Sequence, residues 1–317
     1  MTITIDHIRR AQSVIAGKVH RTPTVSSAGL GDMAGVRLSL KAEVFQRTGS
    51  FKIRGVVNKL AGLSPEERSR GVIGMSAGNH AQALAFGARL AGISSTVVMP
   101  LNAAAGKVAA TKAYGAEVVQ FGATSVEMIA EYERLVAANG QVPVHPFDDP
   151  LVVAGQGTLG LEILEDVADL DLVVVGIGGG GLMAGVATAI KEVAPQVRVV
   201  GVEPEGAPGM TRALAAGHVV RLTTVQTIAD GLAPPFVGEI PLGVARRYLD
   251  DVVIVNDAEI REAMALIMER AKLWVEPSGA AAFAAILAGR CGAQQGARVV
   301  AVLSGGNIDR VRLKDLL

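Results

Sequence analysis

Runs rich in valine, isoleucine and leucine recur along the chain at 36–40, 72–75, 96–99, 117–120, 172–175, 198–202, 252–255 and 298–303. Short apolar runs without strict alternation predict strands buried on both faces, hence parallel sheets covered by helices. Between them the apolar positions recur at the helical period, which predicts helices over 81–91, 107–114, 125–138, 182–193 and 258–270. Gly92 and Gly115 stand where two of these should stop. Strand and helix alternate for nearly the whole length, the signature of an α/β fold. The segment Gln141-Val-Pro-Val-His-Pro-Phe-Asp-Asp-Pro150 breaks the alternation and marks a crossing between two lobes. A ligand is then expected between the lobes, near the carboxyl ends of strands.

Composition narrows the function. The 317 residues suit one large domain or two sharing a cleft, and half of them are apolar. Thirty Lys plus Arg balance thirty Asp plus Glu, so no overall field favours nucleic acid. Aromatics make up only 3%, which argues against a base-stacking platform. A single cysteine, Cys291, allows no internal disulfide and fits a reducing, cytoplasmic setting; its place at a helix-to-loop junction predicts a structural role. The first ten residues carry Asp6, Arg9 and Arg10 and lack the apolar core of a signal peptide. Residues 172–190 are uncharged and long enough to imitate a membrane span, but six glycines between 176 and 185 predict a strand, a loop and a helix start instead.

Four turns carry candidate chemistry. In Thr48-Gly-Ser-Phe-Lys-Ile-Arg-Gly55, Lys52 lies between Phe51 and Ile53 just past a turn that could start a helix. A lysine becomes a Schiff-base nucleophile when its amine is desolvated, although a solvated helical lysine fits the same letters. Ser76-Ala-Gly-Asn-His80 follows a strand and opens a helix, an arrangement that offers backbone N–H groups to an anion such as a substrate carboxylate. It also fits an ordinary turn capped by Ser76 or Asn79. Gly176-Ile-Gly-Gly-Gly-Gly181 lets the backbone approach a phosphate. Gly176, Gly178 and Gly181 equally satisfy a dinucleotide fingerprint, with Glu203 ending the next strand where a ribose-binding acid would sit, so a nicotinamide site stands beside the phosphate site. Ser304, in Leu303-Ser-Gly-Gly-Asn307, could donate to a ring nitrogen or simply close a tight turn.

Taken in series, Ser-Phe-Lys-Ile-Arg-Gly, Ser-Ala-Gly-Asn-His, Gly-Gly-Gly-Gly and Ser-Gly-Gly-Asn resemble the fold-type II pyridoxal-phosphate enzymes, in the branch of threonine dehydratases and serine racemases. The resemblance runs from Val19-His-Arg-Thr-Pro23 to Asn307. It implies a two-lobed α/β fold like the tryptophan synthase β chain, with parallel-rich sheets covered by helices. Residues 1–61 plus 149–317 would form the large cofactor-binding domain, and 62–148 the small mobile one. It implies pyridoxal 5'-phosphate held covalently by Lys52, flanked by Phe51 and Asn79. Gly178, Gly179, Gly180, Gly181 and Leu182 would cradle the phosphate, and Ser304 would meet the pyridine nitrogen. Ser76, Ala77, Gly78, Asn79 and His80 would bind the substrate. The implied activity is that of an ammonia-lyase acting on threonine, serine or a related hydroxy amino acid, in a homodimer. A racemase or a hydroxyaspartate dehydratase is the alternative within the family. Racemase relatives carry a serine where this chain has Ala77, so elimination is expected to dominate. Relatives that bind a divalent cation use a glutamate, a carbonyl and an aspartate; Glu203 and Ala207 match the first two, but Gly209 replaces the third, so no metal is expected. Thr227-Ile-Ala-Asp-Gly231 resembles the family's loop near the substrate, but the following Leu232-Ala-Pro-Pro235 departs from the threonine enzymes' pattern and leaves side-chain preference open.

Overall fold

The computed structural model describes residues 2–122 and 125–317. The described residues form ten strands: β1 (Thr24–Ser26), β2 (Arg37–Ala42), β3 (Val72–Met75), β4 (Ser95–Met99), β5 (Glu117–Gln120), β6 (Val142–Pro143), β7 (Leu172–Gly176), β8 (Arg198–Pro204), β9 (Asp251–Val255) and β10 (Arg298–Leu303). Six of them build one sheet in the order β1-β2-β10-β7-β8-β9, and four build another in the order β5-β4-β3-β6. Every pairing is parallel except β1 with β2. The α/β, parallel-rich class expected from the sequence is the one observed.

Side-chain alternation explains why the central strands are apolar throughout. Leu172 and Val174 of β7 join one buried cluster, whereas Val173 and Val175 join another on the opposite face. Both faces are covered, so no polar face is needed. The edge strand β5, by contrast, begins with exposed Glu117 and ends with exposed Gln120. A third apolar cluster gathers around the four-stranded sheet, from Val72, Val97 and Val142 to Leu84 and Ile53.

The uncharged stretch that imitates a membrane span is β7, a glycine turn and the start of the Gly181–Val193 helix. Among the described residues no helix is long and apolar enough to cross a membrane. The helices of Pro150–Asp166 and Lys52–Ala61 touch backbone to backbone: a Cβ on Gly155 would lie 2.6 Å from the Arg54 carbonyl oxygen. That close approach fixes the helix that starts at Lys52. Cys291 is buried, and burial pushes its thiol up to about 12, in keeping with a structural role.

Candidate active site

All four turns singled out in the sequence open on one cavity of about 540 Å³. The reason is topological. β7 ends at the glycine turn and β10 just before Ser304, and the carboxyl ends of these parallel neighbours face the same way; β3, in the other sheet, ends just before Ser76 and brings its turn to the same space. Lys52 begins its helix and extends into this space, where it is partly exposed. Its amine donates to the Pro146 carbonyl at 2.8 Å and lies 5.1 Å from the centre of the Phe51 ring. Burial lowers the amine to about 8, from an ordinary value near 10.5.

The glycine turn is filled from behind. A Cβ on Gly179 would fall 2.2 Å from the Phe147 ring, and one on Gly181 2.8 Å from the Phe147 carbonyl oxygen. Gly180 adopts φ +91° at the cap of the Gly181–Val193 helix, a left-handed conformation that glycine reaches without strain. The first-turn N–H groups of that helix have no acceptor within the helix, so the turn presents donors and the positive end of a dipole.

Asn79, Glu276 and Asn307 are joined by side-chain hydrogen bonds. Asn307 Nδ2 donates to Thr48 O at 2.7 Å and to Asn79 Oδ1 at 2.8 Å, and Asn79 Nδ2 donates to Glu276 Oε1 at 2.6 Å. Burial first, and Asp230 second, raise the Glu276 carboxyl to about 7. At the cavity rim Asp230 accepts from Lys107 at 2.9 Å and from Arg312 at 2.7 Å. The Ser304 hydroxyl is buried and has only a long contact, 3.4 Å, to the Ser278 carbonyl.

The pyridoxal-phosphate dependent enzyme family model matches residues 15–305. The chain belongs to that family. The L-threonine ammonia-lyase of Thermotoga maritima is 44% identical over 97% of this chain and 76% of its own length. The catabolic L-threonine dehydratase of Escherichia coli is 42% identical over 100% of this chain and 96% of its own. The solved structure of maize serine racemase superposes with a TM-score of 0.95 at 40% identity, covering 99% of this chain and 97% of that one.

The residues present fit the family's cofactor. A desolvated amine, a turn of glycines too closely packed for any side chain, and a buried, weakly engaged hydroxyl share one cavity. Together they match the aldehyde, phosphate and ring nitrogen of pyridoxal phosphate. The nicotinamide reading falls with the family match and for a physical reason. Glu203 is fully buried and accepts from Met210 N at 2.5 Å and from Thr211 N and Oγ1 at 2.9 and 2.7 Å, so no ribose can reach it. The same bonds occupy the carboxylate considered for a cation. Among the described residues no group of three histidine, cysteine, aspartate or glutamate side chains is placed to hold a metal ion.

Of the proposed substrate-binding residues, Ser76, Ala77, Gly78, Asn79 and His80 all line the cavity. The Ser76 hydroxyl accepts from Gly78 N at 3.1 Å. The His80 ring is turned away into the core: Nε2 bonds the Val144 carbonyl at 2.9 Å, and burial, with Lys52 nearby, drives the ring down to about 3, so it stays neutral. Phe147, Glu276 and the rim cations Lys107 and Arg312 were not singled out from sequence. Glu276 did leave a signal: a lone carboxyl after Leu273-Trp-Val275 and before Pro277, in the pattern of a helix start.

Proposed function

We propose that this chain removes water and ammonia from a small β-hydroxy amino acid, L-threonine or L-serine, to leave a 2-oxo acid. The observation that carries the reading is the Lys52 amine, partly desolvated and lowered to about 8, in a cavity where position 77 offers only a methyl group. Pyridoxal phosphate, when bound, supplies an electron-accepting ring and imine that make the Cα proton of an amino acid acidic. Lys52 would hold the cofactor and then take that proton, since an amine near 8 keeps a neutral fraction at physiological pH. N–H groups from Gly178 to Leu182 would hold the phosphate, Phe51 and Asn79 would flank the ring, and Ser304 would meet its nitrogen. A neutral hydroxyl there, rather than a carboxylate, favours rapid loss of the β-hydroxyl over slower transfers. The amides of the Ser76–His80 turn would bind the substrate carboxylate.

Two observations weigh against the alternatives. A methyl at Ala77 cannot carry a proton to the opposite face of Cα, which disfavours racemisation. Both rim cations, Lys107 and Arg312, are already committed to Asp230, and Glu276 adds a carboxyl inside, which disfavours the second carboxylate of 3-hydroxyaspartate. We assign residues 62–148 to a lobe that closes over the substrate, a reading supported by their own four-stranded sheet. The lone buried cysteine supports a cytoplasmic location. By analogy with the family we assign a homodimer, which sedimentation would test.

The test is a panel of hydroxy amino acids with 2-oxo acid detection and chiral analysis. Threonine and serine should exceed 3-hydroxyaspartate by about tenfold or more, a difference on the order of 1.4 kcal/mol. Preference for the dicarboxylate, or D-isomer formation as fast as elimination, would overturn the proposal.

A further inference from the structure

Glu276 plays no part in the chemistry above, yet it is among the most buried carboxyls in the chain, only 4% exposed. Its backbone is tied to the Ser304 turn through Glu276 N and Gly305 O at 3.1 Å, and its side chain reaches Asn79 at 2.6 Å. The hydrogen bonds fix which way each amide faces. Thr48 O can only accept, so Asn307 must turn its NH₂ group there. Asn307 then offers its second N–H to the oxygen of Asn79, which leaves the Asn79 NH₂ group facing Glu276. With one N–H given to Glu276, a single Asn79 N–H remains for the cavity. Residues 48, 79, 276 and 307 come from four separated parts of the chain, so the relay also locks together the turns that surround the cofactor site.

We propose that Glu276 is a positioning residue: it holds the Asn79 amide in the one orientation that presents an N–H to the cofactor ring, and its ionisation sets how firmly. The charged groups facing it are Asp230, Lys107 and Arg312, all at the rim, while Asn79, Ser278 and Gly305 beside it are neutral. No cation is in contact with it: the Asn79 amide is its hydrogen-bonded partner, and Lys107 and Arg312 act on it only from the rim. A buried carboxyl in that setting titrates near 7, within the physiological range. Ionised, it accepts a charge-assisted bond, which is shorter and stronger than a neutral one. The Asn79 amide is therefore held more firmly as pH rises through that value. This rests on the assignment of Asn79 to the cofactor ring, and not on the identity of the substrate.

The experiment is equilibrium dialysis of the holoenzyme against graded pyridoxal phosphate, from about pH 6 to about pH 8.5, with thermal melts across the same range. Glu276→Ala should weaken cofactor binding about tenfold or more. Glu276→Gln keeps an acceptor for Asn79 and should match the parent near pH 6, then fall behind it about three- to tenfold above pH 8. In an Asn79→Ala background, either change at 276 should shift binding by less than about twofold, because the partner it acts on is gone. Melts should show Glu276→Gln gaining on the parent as pH rises, which assigns the titration to this residue whether or not cofactor binding responds. A parent-to-Gln ratio that stays flat with pH, or effects at 276 that persist without Asn79, would overturn the proposal; these outcomes hold even if the alanine variant fails to fold. Failure of the parent to bind pyridoxal phosphate at all would instead indict the site assignment.

Discussion

Arg54 and Glu276 are both buried charges near Lys52, and they are answered in opposite ways. Arg54 meets Glu43 through Nε and Nη2 at 2.8 Å each, and Glu162 through Nη1 and Nη2 at 2.6 and 2.9 Å. Lys41 joins the same group through Glu162 at 2.8 Å and Asp166 at 3.1 Å. Glu276 has one amide and no cation in contact. Burial alone would raise Glu43, but the Arg54 guanidinium outweighs it and holds the carboxyl below the ordinary carboxylate range. At Glu276 burial, with Asp230, outweighs the Asn79 amide and the more distant Lys107 and Arg312, and lifts the carboxyl to about 7. The first cluster is a frame, with every charge answered so that the helix under Lys52 cannot shift. The second is a working part, where incomplete compensation leaves a group free to titrate.

The two clusters should therefore oppose each other in pH. Glu43, with its carboxyl held low, contributes stability that is present above its unfolded value and lost as acid protonates it in the fold. Glu276, with its carboxyl held high, costs nothing below about 4.5; the penalty grows as pH rises and is complete above about 7.

The sharpest separation of working part from frame is Lys52→Ala. Turnover should fall about 10³-fold or more, while stability holds or rises because a desolvated amine has been removed. Normal turnover in 2-oxo acid assays would place the reactive amine elsewhere. Arg54→Met should strand the buried Glu43 carboxylate, leave Glu162 with Lys41 alone, and cost about 3–5 kcal/mol in urea unfolding, most at high pH where Glu43 is ionised. A cost below about 1 kcal/mol would mean that packing, not pairing, holds the frame. Glu276→Gln should stabilise the protein by up to about 3 kcal/mol above pH 7, with the gain fading toward about pH 5. The smallest effect is expected outside both clusters. Cys291→Ala should cost about 1 kcal/mol and leave turnover unaltered, because a thiol held near 12 is neither nucleophile nor ion. Labelling of the native protein by iodoacetamide at neutral pH would contradict that.

The parts of the fold legible in the sequence were those with a local signature. The valine runs of β7 and β10 announced strands closed on both faces, and the four turns announced themselves through glycine and small residues at strand ends. The Pro150–Asp166 helix was not foreseen. It is buried on nearly every side and interrupted by Gly155, Gly157 and Gly160, so it shows almost no polar face to mark its period. β1 and β6, with three and two residues, are too short to leave a pattern. Within the site, Lys52 and the glycine turn could be read because each motif is contiguous. Glu276 could not, because its partner lies 197 positions away and only folding brings the two together.

Asp230 draws Lys107 and Arg312 to the cavity mouth, and Arg312 belongs to the short helix Arg310–Leu316. A fusion attached at Leu317 would thus hang five residues from Arg312, at the doorway through which solutes pass. Purification handles and immobilisation linkers placed there should be removable, since a polyhistidine tail could obstruct entry and imitate a weak enzyme.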